Sequence, residues 1–358
     1  MRFFGANGGP QGDRLAEGCV NQIMQRTKPG ETKLVICVWH SYTEWRPKAG
    51  IAEAIRRRWP EMRVVHLPDY TRLAEELPDT DIFVGYSLRP EQLKVAAKLK
   101  WIHSTAAGVS QLTYPELRQA GVLITNPSGV FSVPMAEHTM GMMLALARNF
   151  PDCVRHQDRS SWGQQQITDQ PQRLAELNGS VVLIVGYGSI GRALARRAKA
   201  FDMRVWGVSR TGKGDTNLAE RVVPVSELHA ALPEADYVVI AAPETAETRK
   251  LIGEKELALM KRGARLVNVS RGTLLDEPAL IRALDEGRLA GAALDVTETE
   301  PLPPGSPLWK APRVFITPHT SAMSDRLWTR QTEMLVDLLQ RWFDGSEMYN
   351  VVDLAAGY

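Results

Sequence analysis

Cysteine is scarce in this chain: Cys19, Cys37 and Cys153 are the only three among 358 residues, and none forms a CxxC pair. Their number and spacing argue against a disulfide framework and a zinc knuckle, and they fit a reducing cytoplasm; no metal site is expected. An excess of one charge is also lacking, with 43 Lys and Arg against 41 Asp and Glu. No field strong enough to favour nucleic acid or an anionic membrane results, so small-molecule chemistry is the starting expectation. Long apolar runs are missing too. The longest candidate, Met140 to Ala147, falls far short of the ~20 residues that a membrane span needs. The opening MRFFGANGGPQGD has no basic region followed by an apolar one and does not read as a secretory signal.

The length is enough for two domains, each with its own core. Residues 1–31 read as a flexible extension with a short helix over Arg14 to Met24, and Met24 offers a second start. From Lys33 to Asn126, short apolar strands (Leu34 to Val38, Arg63 to His66, Ile82 to Tyr86, Trp101 to Ser104, Val122 to Thr125) alternate with helical stretches such as Ile51 to Trp59 and Pro90 to Leu99. That alternation predicts a parallel sheet with helices on its faces. Asn126-Pro127-Ser128-Gly129 breaks the pattern. A helix from Ser132 to Arg148 follows, with Ser132 as N-cap and Pro134 in its first turn. It is rich in Met and Ala on nearly every face, so it is expected to bridge domains under the cover of a domain or a second subunit. Gln157 to Gln172 reads as a polar loop.

A second α/β unit begins with the run Val181 to Val185 and the motif Gly186-Tyr187-Gly188-Ser189-Ile190-Gly191, followed by a helical stretch from Arg192 to Phe201 and a strand over Arg204 to Val208. An isolated match to this glycine spacing is weak, but strand, turn, helix and second strand together make a dinucleotide-binding unit. The first glycine permits the tight turn, the second lets the backbone approach the pyrophosphate, and the third lets helix pack on strand. The helix N-terminus would face the phosphates with free N–H groups and the positive end of its dipole. Later strands at Tyr237 to Ala241, Arg265 to Val269, Ala292 to Val296 and Val314 to Thr317 bring the expected number in this unit to six.

Three residues stand at or just past the ends of such apolar runs: Arg271 in VNVSRG, Glu300 in DVTETEP and His319 in ITPHT. In an open parallel sheet those ends converge on one crevice, so a cation, a carboxylate and an imidazole would meet beside a nucleotide. Taken singly, each has an ordinary reading, as a strand-end arginine, a surface glutamate in a Pro-rich loop and a turn histidine. Their occurrence in this order with the other motifs favours the functional one.

The segments STAAGVSQL, TNPSGVFSVPMAEHTMGMMLALAR, LIVGYGSIG, PETAETRKLIG, LVNVSRGTLLDEPALIRAL, GAALDVTETEPLP and ITPHTSA resemble the D-isomer-specific 2-hydroxyacid dehydrogenases from about Lys33 to Asp353. The resemblance implies an α/β protein of two doubly wound parallel-sheet domains, with a Rossmann coenzyme domain (130–321) inserted in a discontinuous flavodoxin-like substrate domain (32–129 and 322–358) and catalysis in the cleft. It places the family's arginine, glutamate and histidine on Arg271, Glu300 and His319. Arg271 would hold the substrate carboxylate, protonated His319 would give its proton to the carbonyl oxygen, and Glu300 would orient the ring and favour its charged form. Ala107 and Gly108 match the carboxylate-binding loop. Coenzyme contacts are implied for Gly186, Gly188, Ser189, Ile190, Gly191, Ser209, Arg210, Thr211, Pro243, Thr248, Val269, Ser270 and Asp295, with Asp295 near the nicotinamide. His138 also matches the family, inside the helix, where a structural role is expected.

The chain departs from that pattern where an acidic residue usually ends the second strand of the coenzyme domain; here Ser209-Arg210-Thr211 occupy the place. A carboxylate there would repel a 2′-phosphate, whereas an arginine can pair with it, so NADP is expected, with NAD as the alternative. Ser321-Ala322 after the histidine is closer to some glyoxylate and hydroxypyruvate reductases, and Ser110 stands where many members carry Asp. The expectation is a cytoplasmic, homodimeric, NADPH-preferring reductase of small 2-oxo acids of glyoxylate or hydroxypyruvate type, giving D-2-hydroxy acids. It binds no nucleic acid and no membrane. The alternatives are a dehydrogenase of a larger or phosphorylated hydroxy acid, including the 3-phosphoglycerate type, and a nucleotide-sensing binding protein without turnover. The short tail after NVVD is expected to set aside only the longer 3-phosphoglycerate enzymes.

Overall fold

A computed structural model describes residues 27–48, 50–169 and 174–354. The expected helix over Arg14 to Met24 lies outside the described residues. The chain divides into two compact units: residues up to Pro127 together with those from Arg326 onward, and Ser128–Asp325.

The first unit is built on a five-stranded parallel sheet, β1 (Lys33–Cys37), β2 (Arg63–Leu67), β3 (Ile82–Gly85), β4 (Trp101–Ser104) and β5 (Leu123–Thr125), in the order β2-β1-β3-β4-β5. This is the flavodoxin-like order. β1, β3, β4 and β5 are buried along their whole length, which is why they read as near-continuous apolar runs rather than as alternating ones. One face carries Val35, Phe83, Ile102 and Ile124 into a core with Leu67, Leu73, Leu77, Leu88, Leu112 and Leu117. On the other face the last helix, Leu327–Asp344, returns to the sheet, with Trp342 stacked on Trp101 at 5.5 Å between ring centroids. The following NVVD segment seals the β5 edge through Val352 N–H to the Ile124 carbonyl, 2.9 Å, and Asn126 N–H to the Asn350 carbonyl, 3.1 Å. Cys37 lies buried in β1, and burial, assisted by the Asp69 charge, pushes its thiol up to about 12, the behaviour of a small apolar residue.

The second unit carries seven parallel strands, one more than the six expected. They are β6 (Val181–Val185), β7 (Arg204–Ser209), β8 (Arg221–Pro224), β9 (Tyr237–Ile240), β10 (Arg265–Asn268), β11 (Gly291–Leu294) and β12 (Val314–Ile316). The order is β12-β11-β10-β9-β6-β7-β8, so the topology reverses between β6 and β9 and opens a crevice at their C-terminal ends. β8 escapes a periodicity reading because it is a short edge strand, Arg-Val-Val-Pro, ending on a proline.

Other local readings also need correction. The helix after the glycine motif starts at Ser189, not Arg192, with Gly188 at the N-cap. Ser132 lies inside its helix, and Phe131 takes the cap position without a side-chain bond. The helix predicted over Pro90 to Leu99 stops at Val95. The stretch expected to be a polar loop holds the end of one helix, Phe150–Asp158, and another, Gln164–Thr168. The helix Ser132–Arg148, expected to bridge domains, belongs wholly to the second unit. It packs against the helix Ser189–Ala200 and strands β10 and β11, with Met135, Met140, Met142, Met143 and Leu146 buried, and Glu137 pairs with Arg197 at 2.8 Å. Within its own unit the helix is therefore covered by the helix Ser189–Ala200 and, to a lesser extent, by the sheet.

Candidate active site

At the glycine turn, a Cβ on Gly186 would lie 2.3 Å from the Ala242 backbone nitrogen, and one on Gly191 would lie 2.4 Å from the Gly186 carbonyl oxygen. Both glycines are therefore required by close approach of backbone, Gly186 to the chain leaving β9 and Gly191 to the turn itself. Gly188 meets nothing within 4 Å on its Cβ side. Open space at that position, in front of the first-turn N–H groups of Ser189, Ile190 and Gly191, fits a pyrophosphate. The residues present thus fit a dinucleotide by their own geometry.

The chain after β7 is shaped by Tyr187. Its ring fills the places where Cβ atoms on Gly207 and Gly214 would come within 2.6 and 2.7 Å, and its hydroxyl donates to the Asp215 carbonyl at 3.1 Å. Ser209 Oγ donates to the Lys213 carbonyl at 2.9 Å, and Arg210 and Thr211 are exposed on the resulting loop. On the other side of the switch point, Thr248 Oγ1 donates to the Pro243 carbonyl at 2.7 Å and accepts from Thr245 N–H at 2.8 Å, closing the 243–248 loop. Val269 and Ser270 are buried after β10, with Ser270 Oγ bonded to the Ala242 carbonyl.

Arg271, Glu300 and His319 come from three loops of this unit. His319 Nδ1 lies 2.7 Å from Glu300 Oε2, and the second carboxylate oxygen, Oε1, accepts from Thr297 N–H at 3.0 Å. The two side chains keep 40% and 36% of their surface accessible. Burial would push the Glu300 carboxyl up, but the bonds from His319 and Thr297 and the charges of His319 and Arg271 together hold it below the ordinary value of 4.5. Arg271 is extended and exposed, and its Nη1 donates to the Ser270 carbonyl at 2.8 Å.

Several residues that the motifs contain, but that no residue-type reasoning singles out, hold this group. A Cβ on Gly272 would lie 1.9 Å from the Thr297 carbonyl carbon, so the backbone beside Arg271 rests directly on the loop that carries Glu300. Glu277 Oε1 accepts from Glu298 N–H at 2.6 Å and anchors the same loop. Asp295, expected near the nicotinamide, is 1% exposed, and its carboxylate accepts from Thr317 Oγ1 at 2.6 Å, Thr320 N–H at 2.9 Å and Ser321 N–H at 3.0 Å. It grips the loop around His319, whose φ of 53° lies in the left-handed region. His138 Nε2 reaches the same loop, 3.0 Å from Thr317 Oγ1.

In the first unit, the turn after β4 is fixed by Ser104 Oγ, which donates to the Ala106 carbonyl and accepts from Ala106 N–H. Asn126 Nδ2 donates to the Ala107 carbonyl at 2.9 Å, and Gln331 Nε2 to the Thr105 carbonyl at 3.1 Å. Ala107 and Gly108 are exposed, and among the described residues no acceptor is bonded to their N–H groups. Such a pair of free donors on a held turn can take a carboxylate.

Two α/β units, one with a dinucleotide-type turn and an Arg, Glu and His group on its own loops, define an oxidoreductase architecture. The family model for the NAD binding domain of D-isomer specific 2-hydroxyacid dehydrogenases matches residues 140–321. A glyoxylate reductase of Korarchaeum cryptofilum is 34% identical over 293 residues, 80% of this chain and 86% of that protein. Among solved structures, a D-isomer specific 2-hydroxyacid dehydrogenase family protein of Aeromonas salmonicida superposes with a TM-score of 0.76 at 31% identity, covering 90% of this chain and 99% of that one. The NADPH-dependent glyoxylate/hydroxypyruvate reductase of Sinorhizobium meliloti, in complex with NADP and sulfate, gives 0.76 at 25% identity, covering 91% and 100%. The chain belongs to the D-isomer-specific 2-hydroxyacid dehydrogenase family. It is an oxidoreductase acting on the CH–OH group of donors, with a Rossmann domain for a nicotinamide dinucleotide.

Proposed function

We propose that the protein is an NADPH-preferring reductase of 2-oxo acids of the glyoxylate and hydroxypyruvate type, yielding D-2-hydroxy acids. The observation that carries this reading is the His319–Glu300 pair, 2.7 Å apart, on the same sheet ends as the dinucleotide turn. A reduced nicotinamide dinucleotide held at the turn of Gly186, Gly188 and Gly191 would supply the two electrons of a hydride for the carbonyl carbon. His319, protonated and steadied by the Glu300 carboxylate, delivers the proton to the carbonyl oxygen, so one C–H and one O–H bond form as the C=O double bond becomes single. Arg271 attracts the substrate carboxylate and stabilises charge growing on the oxygen. The N–H groups of Ala107 and Gly108 hold the carboxylate. Asp295 acts as a positioning residue for the His319 loop, and Val269 and Ser270 shape the floor of the coenzyme site.

The preference for NADPH rests on Arg210 and Thr211, exposed where a ribose-binding carboxylate would otherwise repel a 2′-phosphate. Homodimerisation in the cytoplasm completes the proposal. Phe150, Val154 and Trp162 in the second unit are 53%, 54% and 89% exposed, surface that a second copy would cover.

Initial rates with glyoxylate and hydroxypyruvate, measured with each coenzyme, test the reading. NADPH should give the higher catalytic efficiency, and His319→Ala should lower kcat by about 10²–10⁴-fold. Equal or better efficiency with NADH removes the coenzyme preference. Tight coenzyme binding without turnover of any 2-oxo acid favours a nucleotide-sensing protein instead.

A further inference from the structure

The helix Ser132–Arg148 carries a single imidazole on an apolar stripe. His138 stands between Met135 and Met142, three residues before it and four after, both of them buried, while its own side chain keeps 23% of its surface accessible. A polar group on such a stripe is unfavourable unless it is hydrogen-bonded. Glu137 beside it turns to Arg197. The partner of His138 is therefore to be found off the helix.

That partner is Thr317, just past the end of β12, whose Oγ1 lies 3.0 Å from His138 Nε2. A hydroxyl has one hydrogen to give, and Thr317 gives it to Asp295 Oδ1 at 2.6 Å. Thr317 can then only accept from His138, so Nε2 must be the nitrogen that carries hydrogen. The same Nε2 is 3.6 Å from Asp295 Oδ1. A one-way chain results, from His138 to Thr317 to Asp295, in which each bond polarises the next.

The chain ends on the fully buried side chain of Asp295, which also takes the N–H groups of Thr320 and Ser321, the two residues after His319. His319 N–H in turn lies against the Asp295 carbonyl at 2.8 Å and the Thr317 carbonyl at 3.0 Å. Both flanks of His319 are thus tied to one carboxylate, and the orientation of that carboxylate depends on a hydroxyl whose rotor is set by His138. The helix is a firm support for this purpose, since it packs against the helix Ser189–Ala200 and against β10 and β11.

We propose that His138 is a positioning residue of the reaction: through Thr317 and Asp295, its Nε2–H fixes the loop that aims His319 at Glu300. The inference rests on the proposed reading of His319 as the proton donor. Loss of the bond would leave the coenzyme turn untouched and let the imidazole wander from its productive direction, a defect that appears in kcat rather than in coenzyme binding.

The test uses the full chain with NADPH and glyoxylate. His138→Ala should lower kcat about tenfold or more while the KM for NADPH moves less than about twofold, and His138→Gln, whose amide can present an N–H toward Thr317, should recover most of the loss. In a Thr317→Val background, His138→Ala should cost no further kcat, because two residues of one chain are non-additive whereas independent ones multiply. Histidine-selective 15N NMR of the native protein, with the His138 signal assigned by its absence in His138→Gln, should show Nε2 protonated; this reading stands even if His138→Ala fails to fold. Native kcat in His138→Ala, an undiminished loss in the Thr317→Val background, or a bare Nε2 overturns the positioning role and leaves the reductase reading intact. A native protein that turns over no 2-oxo acid with either coenzyme removes the reductase reading and the positioning role with it.

Discussion

Asp295 and His319 are joined through the main chain: His319 N–H donates to the Asp295 carbonyl at 2.8 Å, while the Asp295 carboxylate takes the N–H groups of Thr320 and Ser321. The acid thus reaches the imidazole through the loop, holding a non-glycine residue at positive φ so that its ring meets Glu300. Asp295→Asn presents an NH₂ group where three donors converge and should release that loop. Steady-state kinetics should give a kcat about 10–100-fold lower, with the KM for coenzyme changed far less. An equal rise in both Michaelis constants at unchanged kcat would instead mean a direct binding part for Asp295.

Glu300 is ionised further into acid than an ordinary glutamate, because His319, Thr297 and Arg271 outweigh its partial burial. With the folded value depressed below 4.5, the unfolded chain takes up the proton first as the pH falls. The stability this carboxylate contributes is therefore complete above that ordinary value and fades as the pH drops through the lower folded one. In urea melts, the gap between the native protein and Glu300→Gln should narrow below pH 4.5. In the same variant, kcat for reduction of the 2-oxo acid should fall about tenfold or more, since the His319 ring has lost the carboxylate that orients it.

Gly272 is a packing requirement of the site. A methyl group there would meet the Thr297 backbone at 1.9 Å and Glu298 N at 2.2 Å, so one of two buried main-chain segments must move. Gly272→Ala should lower stability by about 1–3 kcal/mol in chemical denaturation. Activity should fall more than stability accounts for, because the shift separates Arg271 from the Glu300 loop. A variant with native activity would mean that this contact is unimportant to the reacting group.

His103 gives the first unit its own pH dependence. It is fully buried beside Thr125, with Nδ1 2.8 Å from the hydroxyl oxygen and Nε2 without a protein partner, and burial pulls the imidazole down from 6.5 to about 4. Between those two values the unfolded chain binds the proton and the folded one does not, so stability falls as the pH is lowered through that window. The contribution lost is on the order of 3 kcal/mol. His103→Asn should flatten the slope of unfolding free energy over that range, a result measurable from urea midpoints at the two ends; an unchanged slope would mean the imidazole is already charged in the fold.

Much of this molecule is legible in the chain. Eleven of the twelve strands begin within one residue of the apolar runs that announce them, because parallel strands buried on both faces need unbroken Val, Ile and Leu. The glycine spacing, the helix behind it and the placing of Arg271, Glu300 and His319 just past strand ends of one sheet were equally open to a reading by residue type, since tight backbone turns admit few side chains. The chain also announced a broad apolar helix over Ser132–Arg148. It could not say that the helix Ser189–Ala200 and the sheet of the same unit would lie against it, because apolar faces do not name their partners.

Only the tertiary structure decided what holds the Arg271, Glu300 and His319 loops. Asp295 reads as a strand-end carboxylate facing a ligand, but burial and three converging donors turn it inward to the His319 loop. Gly272 and Glu277 acquire meaning only when Thr297 and Glu298, more than 20 residues away in sequence, are brought against them. The edge strand β8, too short and too polar to be periodic, is recognisable only by its pairing with β7. Local sequence determines which elements form, because conformational preference and burial pattern act over a few residues; it is long-range packing that chooses which backbone donors meet which carboxylate, and hence where the imidazole points.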